Sequence, residues 1–343
     1  DEGDIVEFDS DFVYMLTGSD LVILDAWPAE SLSEVSRRTI EGQPIAEFLK
    51  DDRLTVISEQ QDYYPILFDP AVDVGPVFDG GPMVGDAFVG DRFDIAPFRY
   101  PTLSDPKTDV TVFDVSDRTN PQVIQTTKLD GRYVESRGVG DHVYLVTSTN
   151  AVAPPPQLIQ PDGDEEPWQG TYETREQYIE RFLAETGSFV ETALPGYASY
   201  ASDGELARSG LLHQPEEIYQ PLQEDASNLL SLVSINVTNT EPGLAASSGI
   251  YTDGAAKVYA SLDHFYVFEN VYGAEDGLST RILKFDWNGE TGAAEFVASG
   301  EVAGWMLNQF SADEFAGHLR IATTISNAGS GNWTGRAEND LFV

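Results

Sequence analysis

Cysteine is absent from all 343 residues, which excludes disulfides, thiolate metal sites and cysteine nucleophiles. Cations are scarce. Nineteen Lys and Arg face 58 Asp and Glu, for a formal charge of −39, and only Lys50, Lys107, Lys128, Lys257 and Lys284 are lysines. Phosphate binding needs a positive patch, and no stretch supplies one, so nucleic acid is not an expected partner. No apolar run approaches the ~20 residues that cross a bilayer as a helix. Also missing are the G-x-S-x-G elbow, H-E-x-x-H, a Walker loop and a dinucleotide fingerprint. The chain opens at Asp1 without a leader and stops at Val343 partway through an alternating run. We read it as a processed product or a piece of a longer protein, so the missing targeting segment does not argue against export.

The acids are spread over the whole length instead of forming a tail. A shell of like charge repels itself at low ionic strength, whereas at about 1 M salt the Debye length falls to roughly 3 Å and the repulsion is screened. The composition therefore points to a protein adapted to concentrated salt, with an ordinary acidic secreted protein as the alternative. Apolar residues make up 41% of the chain, enough for a large core.

What is present is a repeat. Five segments read as an alternating run, a polar turn and a second alternating run: residues 4–17, 44–58, 133–147, 257–268 and 307–324. A second hairpin follows each, beginning at Asp20, Asp109, Leu230, Arg281 and Asn339. The turn Asp117-Arg-Thr-Asn-Pro121, which leads to one of the fourth strands, is rich in residues that hydrogen-bond their own backbone or preset φ. A recurring four-stranded antiparallel unit is the signature of an all-β propeller. We place blades at about 4–42, 43–131, 132–252, 253–303 and 304–343, the last lacking its outer strand. Two blades carry long insertions between their second and third strands, 59–108 and 149–229. Successive strands of a meander alternate direction, so both insertions should leave from one face of the disc, where binding residues tend to lie. The second insertion holds the one helical signal: a capping box of Thr174 and Gln177, an apolar stripe of Tyr178, Ile179, Phe182 and Leu183, and Gly187 as the stop.

Residues 308–324, together with Asp1-Glu-Gly-Asp-Ile-Val6 and Thr111-Val-Phe-Asp-Val-Ser-Asp117, resemble the secreted proteins that carry a C-terminal β-propeller distantly related to WD-type repeats. The helical insert with Tyr178-Ile-Glu-Arg181 is similar as well. The likeness spans nearly the whole chain, as the first part of that propeller. It implies the fold and an extracytoplasmic location, secreted or at the cell surface; the expected partners that complete the ring are the later blades or a second copy. Members come from bacteria and archaea. The family has no established activity, so no catalytic residue is carried over.

Candidate sites are few. His142, His264 and His318 follow the first hairpin turn of three blades. Zinc ligands must meet within about 2.0–2.3 Å of one atom, so histidines in separate blades read as turn-exit packing. His213 sits in a polar loop. Asp162, Asp164 and Glu166 present the alternating oxygens that Ca²⁺ favours, but Pro167 stands where a calcium loop wants Gly; a solvated acidic loop is the alternative. Asp79, Asp86, Asp91 and Asp94 read as turn residues. Aromatics of the insertions, Tyr63, Tyr64, Phe68, Phe78, Trp168 and Tyr172, form a candidate recognition surface, or else pin the loops to the disc. Asn236 and Asn332 match the N-glycosylation acceptor, and Asn332 is the better candidate because Asn236 lies in a strand run. The expected function is a non-catalytic binding or scaffold module for a protein or surface polymer. A hydrolase or metal-assisted enzyme at the channel mouth is the alternative.

Overall fold

A computed structural model describes residues 3–60, 106–150, 156–159, 171–186, 194–219, 228–252, 257–261, 263–273, 277–288, 290–326 and 337–343. Asp1–Gln60 and Asp105–Val343 form one compact unit, and Gln61–Ser104 fall outside it. The described residues contain one α-helix among antiparallel sheets.

The first sheet is a meander of β1 (Val6–Phe8), β2 (Phe12–Thr17), β3 (Asp20–Asp25) and β4 (Ser33–Thr39). Its first turn closes because Asp9 Oδ1 accepts the amides of Asp11 and Phe12, at 3.1 and 2.9 Å. The second sheet begins with β5 (Gln43–Lys50), β6 (Arg53–Gln60), β7 (Lys107–Asp114) and β8 (Gln122–Asp130). The third starts with β9 (Arg132–Val139) and β10 (His142–Asn150). After β10 the chain makes an excursion. It runs through β11 (Leu158–Ile159), β12 (Thr171–Tyr172), α1 (Arg175–Thr186), β13 (Gly196–Ala201), β14 (Leu206–Leu211) and β15 (Ile218–Tyr219). It then returns to the third sheet as β16 (Asn228–Asn236) and β17 (Ala246–Thr252). The fourth sheet is β18 (Lys257–Ala260), β19 (His264–Gly273), β20 (Gly277–Trp287) and β21 (Ala294–Ala303), and the fifth is β22 (Ala312–Phe315), β23 (His318–Ser326) and β24 (Ala337–Phe342).

The expectation of uniform four-stranded units needs correction. The excursion adds strands to both sheets that flank it. Hairpin β13–β14 pairs with β8 and widens the second sheet to six strands, while β15 runs parallel to β17 and gives the third sheet five. Outer strands otherwise face water: β4 (SEVSRRT) is polar, and most residues of β4 and β21 are exposed. Strand β8 is different because β13 covers its edge: Leu129 is buried and Thr127 Oγ1 meets Ser199 Oγ at 2.9 Å.

Consecutive sheets pack face to face in chain order. Tyr14, Leu16, Leu21 and Ile23 of the first sheet meet Leu54, Val56 and Phe113 of the second. The other face of the second sheet, with Phe48, Ile57, Val110 and Val112, meets Val143, Leu145, Val233 and Ile235 of the third. The third meets the fourth through Val146, Leu230 and Leu232 against Phe265, Val267 and Phe285. The fourth meets the fifth through Tyr266 and Phe268 against Ala312 and Ile321. Central strands such as β6 (RLTVISEQ) are therefore buried on both faces, and the polar members Thr55 and Ser58 are buried along with Leu54, Val56 and Ile57. Each fully buried Leu or Ile contributes about 1.5–3 kcal/mol. Chain crossings between sheets demand glycine where backbones nearly touch. Gly42 (φ +80°) and Gly304 (φ +85°) lead into the next sheet, and a Cβ there would stand 2.5 Å from Glu59 O and 2.7 Å from Thr324 O.

Candidate functional site

The polar residues that the fold assembles lie mainly at sheet-to-sheet crossings. At the first turns, Arg118 joins the first two sheets. Its guanidinium donates to Tyr14 Oη (3.0 Å), Asp9 Oδ2 (3.0 Å) and Asp52 Oδ1 (2.7 Å) and lies over the Phe12 ring. Burial pushes the Tyr14 phenol up to about 12, helped by its hydrogen bond to Asp9. Burial opposes ionisation of Asp9, but the Phe12 and Asp11 amides and Arg118 outweigh it and hold this carboxyl low.

A second crossing joins the fourth and fifth sheets. His264 Nδ1 lies 2.7 Å from Glu314 Oε1, and its Nε2 lies 3.3 Å from Asp286 Oδ1. Ser261 Oγ donates to Glu314 Oε2 at 2.7 Å, and the Glu314 amide donates to Tyr259 Oη at 3.0 Å. Ser261 also closes the turn by accepting the His264 amide (2.9 Å), the same part that Asp9 plays for Phe12. Glu314 is largely buried, which works against its charge, yet Ser261 and His264 hold its carboxyl below the usual range.

The three repeat-equivalent histidines start β10, β19 and β23, in three different sheets. Their surroundings differ. His142 is buried, with its ring on the face toward the fourth sheet beside Gly292, and burial lowers its pKa against the pull of Asp141. His264 bridges carboxylates, and the exposed His318 Nδ1 contacts Ala316 O at 3.0 Å. No group of three His, Asp or Glu among the described residues is placed to hold a metal ion.

His213 overturns its reading as a polar-loop residue. It is fully buried, Nε2 lies 2.8 Å from Ser231 Oγ, and its Nδ1 has no partner. Burial drives its pKa down to about 4. A Ser–His pair can activate a nucleophile, but Ser231 too has no exposure, so a substrate cannot reach it.

Two buried acids stand apart. Glu47 of β5 has no exposed surface, and neither carboxylate oxygen has a hydrogen-bond partner. Burial, reinforced by the charges of Glu7 and Asp4 and only partly offset by the nearby Glu7 amide, raises its pKa to about 8. The main chain fixes it there, since the Glu47 amide donates to Asp4 O at 2.7 Å. Asp109 is buried beside Gln60 (2.7 Å) and Lys128 (3.5 Å); burial raises its pKa although Lys128 lowers it.

The excursion after β10 supplies the exposed candidate surface. Thr174 and Gln177 form the expected box: the Gln177 side chain accepts the Thr174 amide at 2.8 Å, and Thr174 Oγ1 accepts the Gln177 amide at 3.3 Å. Phe182 is buried and stacks with Tyr178, whereas Leu183 of the predicted stripe is exposed. Glu173 accepts two hydrogen bonds from Arg181, at 2.6 and 3.0 Å, and Arg181 lies over the Tyr178 ring. Beside this clamp Tyr172 is 69% exposed. Of the other sequence candidates, Tyr63, Tyr64, Phe68, Phe78, Trp168, Asp162, Asp164, Glu166, Asn332 and the aspartates 79, 86, 91 and 94 lie outside the described residues, as does Gly187. Asn236 ends β16, where its side chain accepts from the Thr238 and Asn239 amides. Sequence reasoning missed Glu47, Asp109, Arg118 and Glu314, which carry no motif. One signal was available: Glu47 interrupts the apolar run Pro44-Ile-Ala-Glu-Phe-Leu49.

Antiparallel sheets packed in chain order, each burying one face against the next, define a protein of the propeller class. The chain belongs to the β-propeller domain family, whose model matches residues 1–343. An uncharacterized protein of Methanocaldococcus jannaschii is 24% identical over 271 residues, covering 68% of this chain and 41% of its own length. This chain thus spans less than half of that relative. Two solved structures share 10% identity. A functionally unknown protein from Desulfotomaculum acetoxidans has a TM-score of 0.31 over 90% of this chain and 73% of its own. An acylaminoacyl peptidase of Pyrococcus horikoshii has a TM-score of 0.26 over 100% of this chain and 51% of its own. At these scores neither bears on function.

Proposed function

We propose that this chain is a non-catalytic, extracytoplasmic binding or scaffold module that works in concentrated salt and engages a protein or surface polymer. The observation that carries the reading is the excursion after β10. Its strands β13, β14 and β15 are built into two sheets, so it belongs to the scaffold while presenting Tyr172 and α1 outward. Loops held on a rigid support are common binding elements. The polar crossings, by contrast, are committed to joining sheets. The acidic composition supports a high-salt setting, and further blades or a second copy would complete the ring. The reading calls for no cofactor; chelation and Ca²⁺ titration of the intact chain should leave its melting temperature unchanged.

The test uses capture from envelope material in high salt. The segment 61–104 can be replaced by a short turn, because Gln60 and Lys107 are directly paired. The whole of 149–229 cannot be removed, since Leu212, His213 and Ser199 are buried between the sheets. We expect Tyr172→Ala or the 61–104 replacement to lose specific partners. Undiminished capture by the doubly altered chain would refute the proposal.

A further inference from the structure

Two residues into the second strand of each sheet, the repeat places Tyr14, Thr55, Tyr144, Tyr266 and Arg320. The three tyrosines are buried and face the following sheet, filling the interface with a phenol ring. Thr55 also faces the next sheet, directly opposite Phe48, but has no ring. Where the ring would lie there is a cavity of about 310 Å³ between the second and third sheets, at the lower end of the size of small-molecule sites. Its walls include Phe48, Val139, Val143 and Val237, with His142 as a polar member. Thr55 is 1% exposed and its hydroxyl has no partner, an arrangement that buried polar atoms rarely keep. Lys50 also lines the cavity. In a chain with three acids for each base, no acid among the described residues pairs with it. Its cross-strand neighbour is another cation, Arg53, which is taken up by Asp114 at 2.6 Å. The adjacent Asp52 is taken up by Arg118, and Asp51 and Asp141 are exposed at the turn tips. Gly140 leaves one side open, with nothing within 4 Å of where a Cβ would stand.

We propose that this cavity is a binding site for a small aromatic monocarboxylate. The ring would occupy the place of the missing tyrosine, and the carboxylate would meet Lys50. A mainly apolar wall that also holds the neutral, buried His142, with one cation at its rim, selects for that chemistry. The site lies at the β5–β6 and β9–β10 turns, the opposite end of both sheets from the long excursions, so it is independent of the macromolecular surface above.

Calorimetric titration of the intact chain in about 2 M KCl with phenylacetate, 2-phenylethanol and 2-phenylethylamine tests this. We expect saturable one-to-one binding in the order anion, alcohol, amine. Thr55→Tyr should abolish binding and raise the melting temperature, with near-UV circular dichroism reporting the fold. Lys50→Gln, at the rim, should weaken phenylacetate by about fivefold and leave 2-phenylethanol unchanged. No saturable phenylacetate binding to the unaltered chain, retained affinity in folded Thr55→Tyr, or an anion preference that survives Lys50→Gln would overturn it.

Discussion

Glu47 should make this protein less stable as the pH rises from mildly acidic to mildly alkaline, opposite to the behaviour of salt-bridged carboxylates. Its side chain faces the first sheet across from Val56, with no exposed surface and no hydrogen-bond partner. Burial, aided by Glu7 and Asp4, lifts its folded pKa from 4.5 to about 8. Between those values the folded chain holds a proton that the unfolded chain has released. The stabilisation is therefore complete below pH 4.5 and lost as pH climbs toward 8, at about 1.4 kcal/mol per pH unit. Over the whole interval that is about 4–5 kcal/mol, a large share of the 5–15 kcal/mol typical of a domain. Glu47→Gln removes the titration and, like the protonated acid it replaces, leaves a buried polar group without a partner, so the two side chains cost about the same at low pH. Urea unfolding of both chains in high salt at pH 5, 6.5 and 8 should give curves that lie close together at pH 5 and separate as the pH rises. The variant should be the more stable chain at pH 8. A difference between the chains that does not change with pH would refute the reasoning.

Other expectations follow from the sheet crossings. Arg118→Met should lower unfolding free energy by about 2 kcal/mol in denaturant melts, because three acceptors on two sheets lose one donor. Glu314→Gln should destabilise the chain at neutral pH by about 1–3 kcal/mol. The folded pKa of Glu314 is depressed, so its stabilisation is present above the ordinary carboxylate range and lost on acidification; the two unfolding curves should converge at low pH. His213, depressed to about 4, contributes stability above pH 6.5 that is lost between 6.5 and 4 at about 1.4 kcal/mol per unit. His213→Leu should flatten that part of the pH profile, and an unchanged slope would show that the imidazole is protonated in the folded chain.

Much of the architecture was legible locally. The β5–β6 hairpin announces itself by two alternating runs about the polar turn Asp51-Asp52, and the Asp9 and Ser261 turns by side chains that bond the amide three residues on. The capping box at Thr174 needed only residues 174–177. These features depend on neighbours in sequence. The partners of His264 and Arg118 were not legible, because Glu314 and Asp9 stand 50 and 109 residues away along the chain and carboxylates are everywhere in this composition.

Alternation, turn chemistry and repetition by themselves determined that the chain makes hairpins stacked into antiparallel sheets, since each is encoded within a few residues. Only the tertiary structure decided that β13 and β14 would join the second sheet, that His213 and Glu47 would lose all contact with water, and that Thr55 would border a cavity. The reason is physical: an edge strand accepts any partner with free amides and carbonyls, and burial belongs to the sheet that arrives on top of a residue, not to the residue itself.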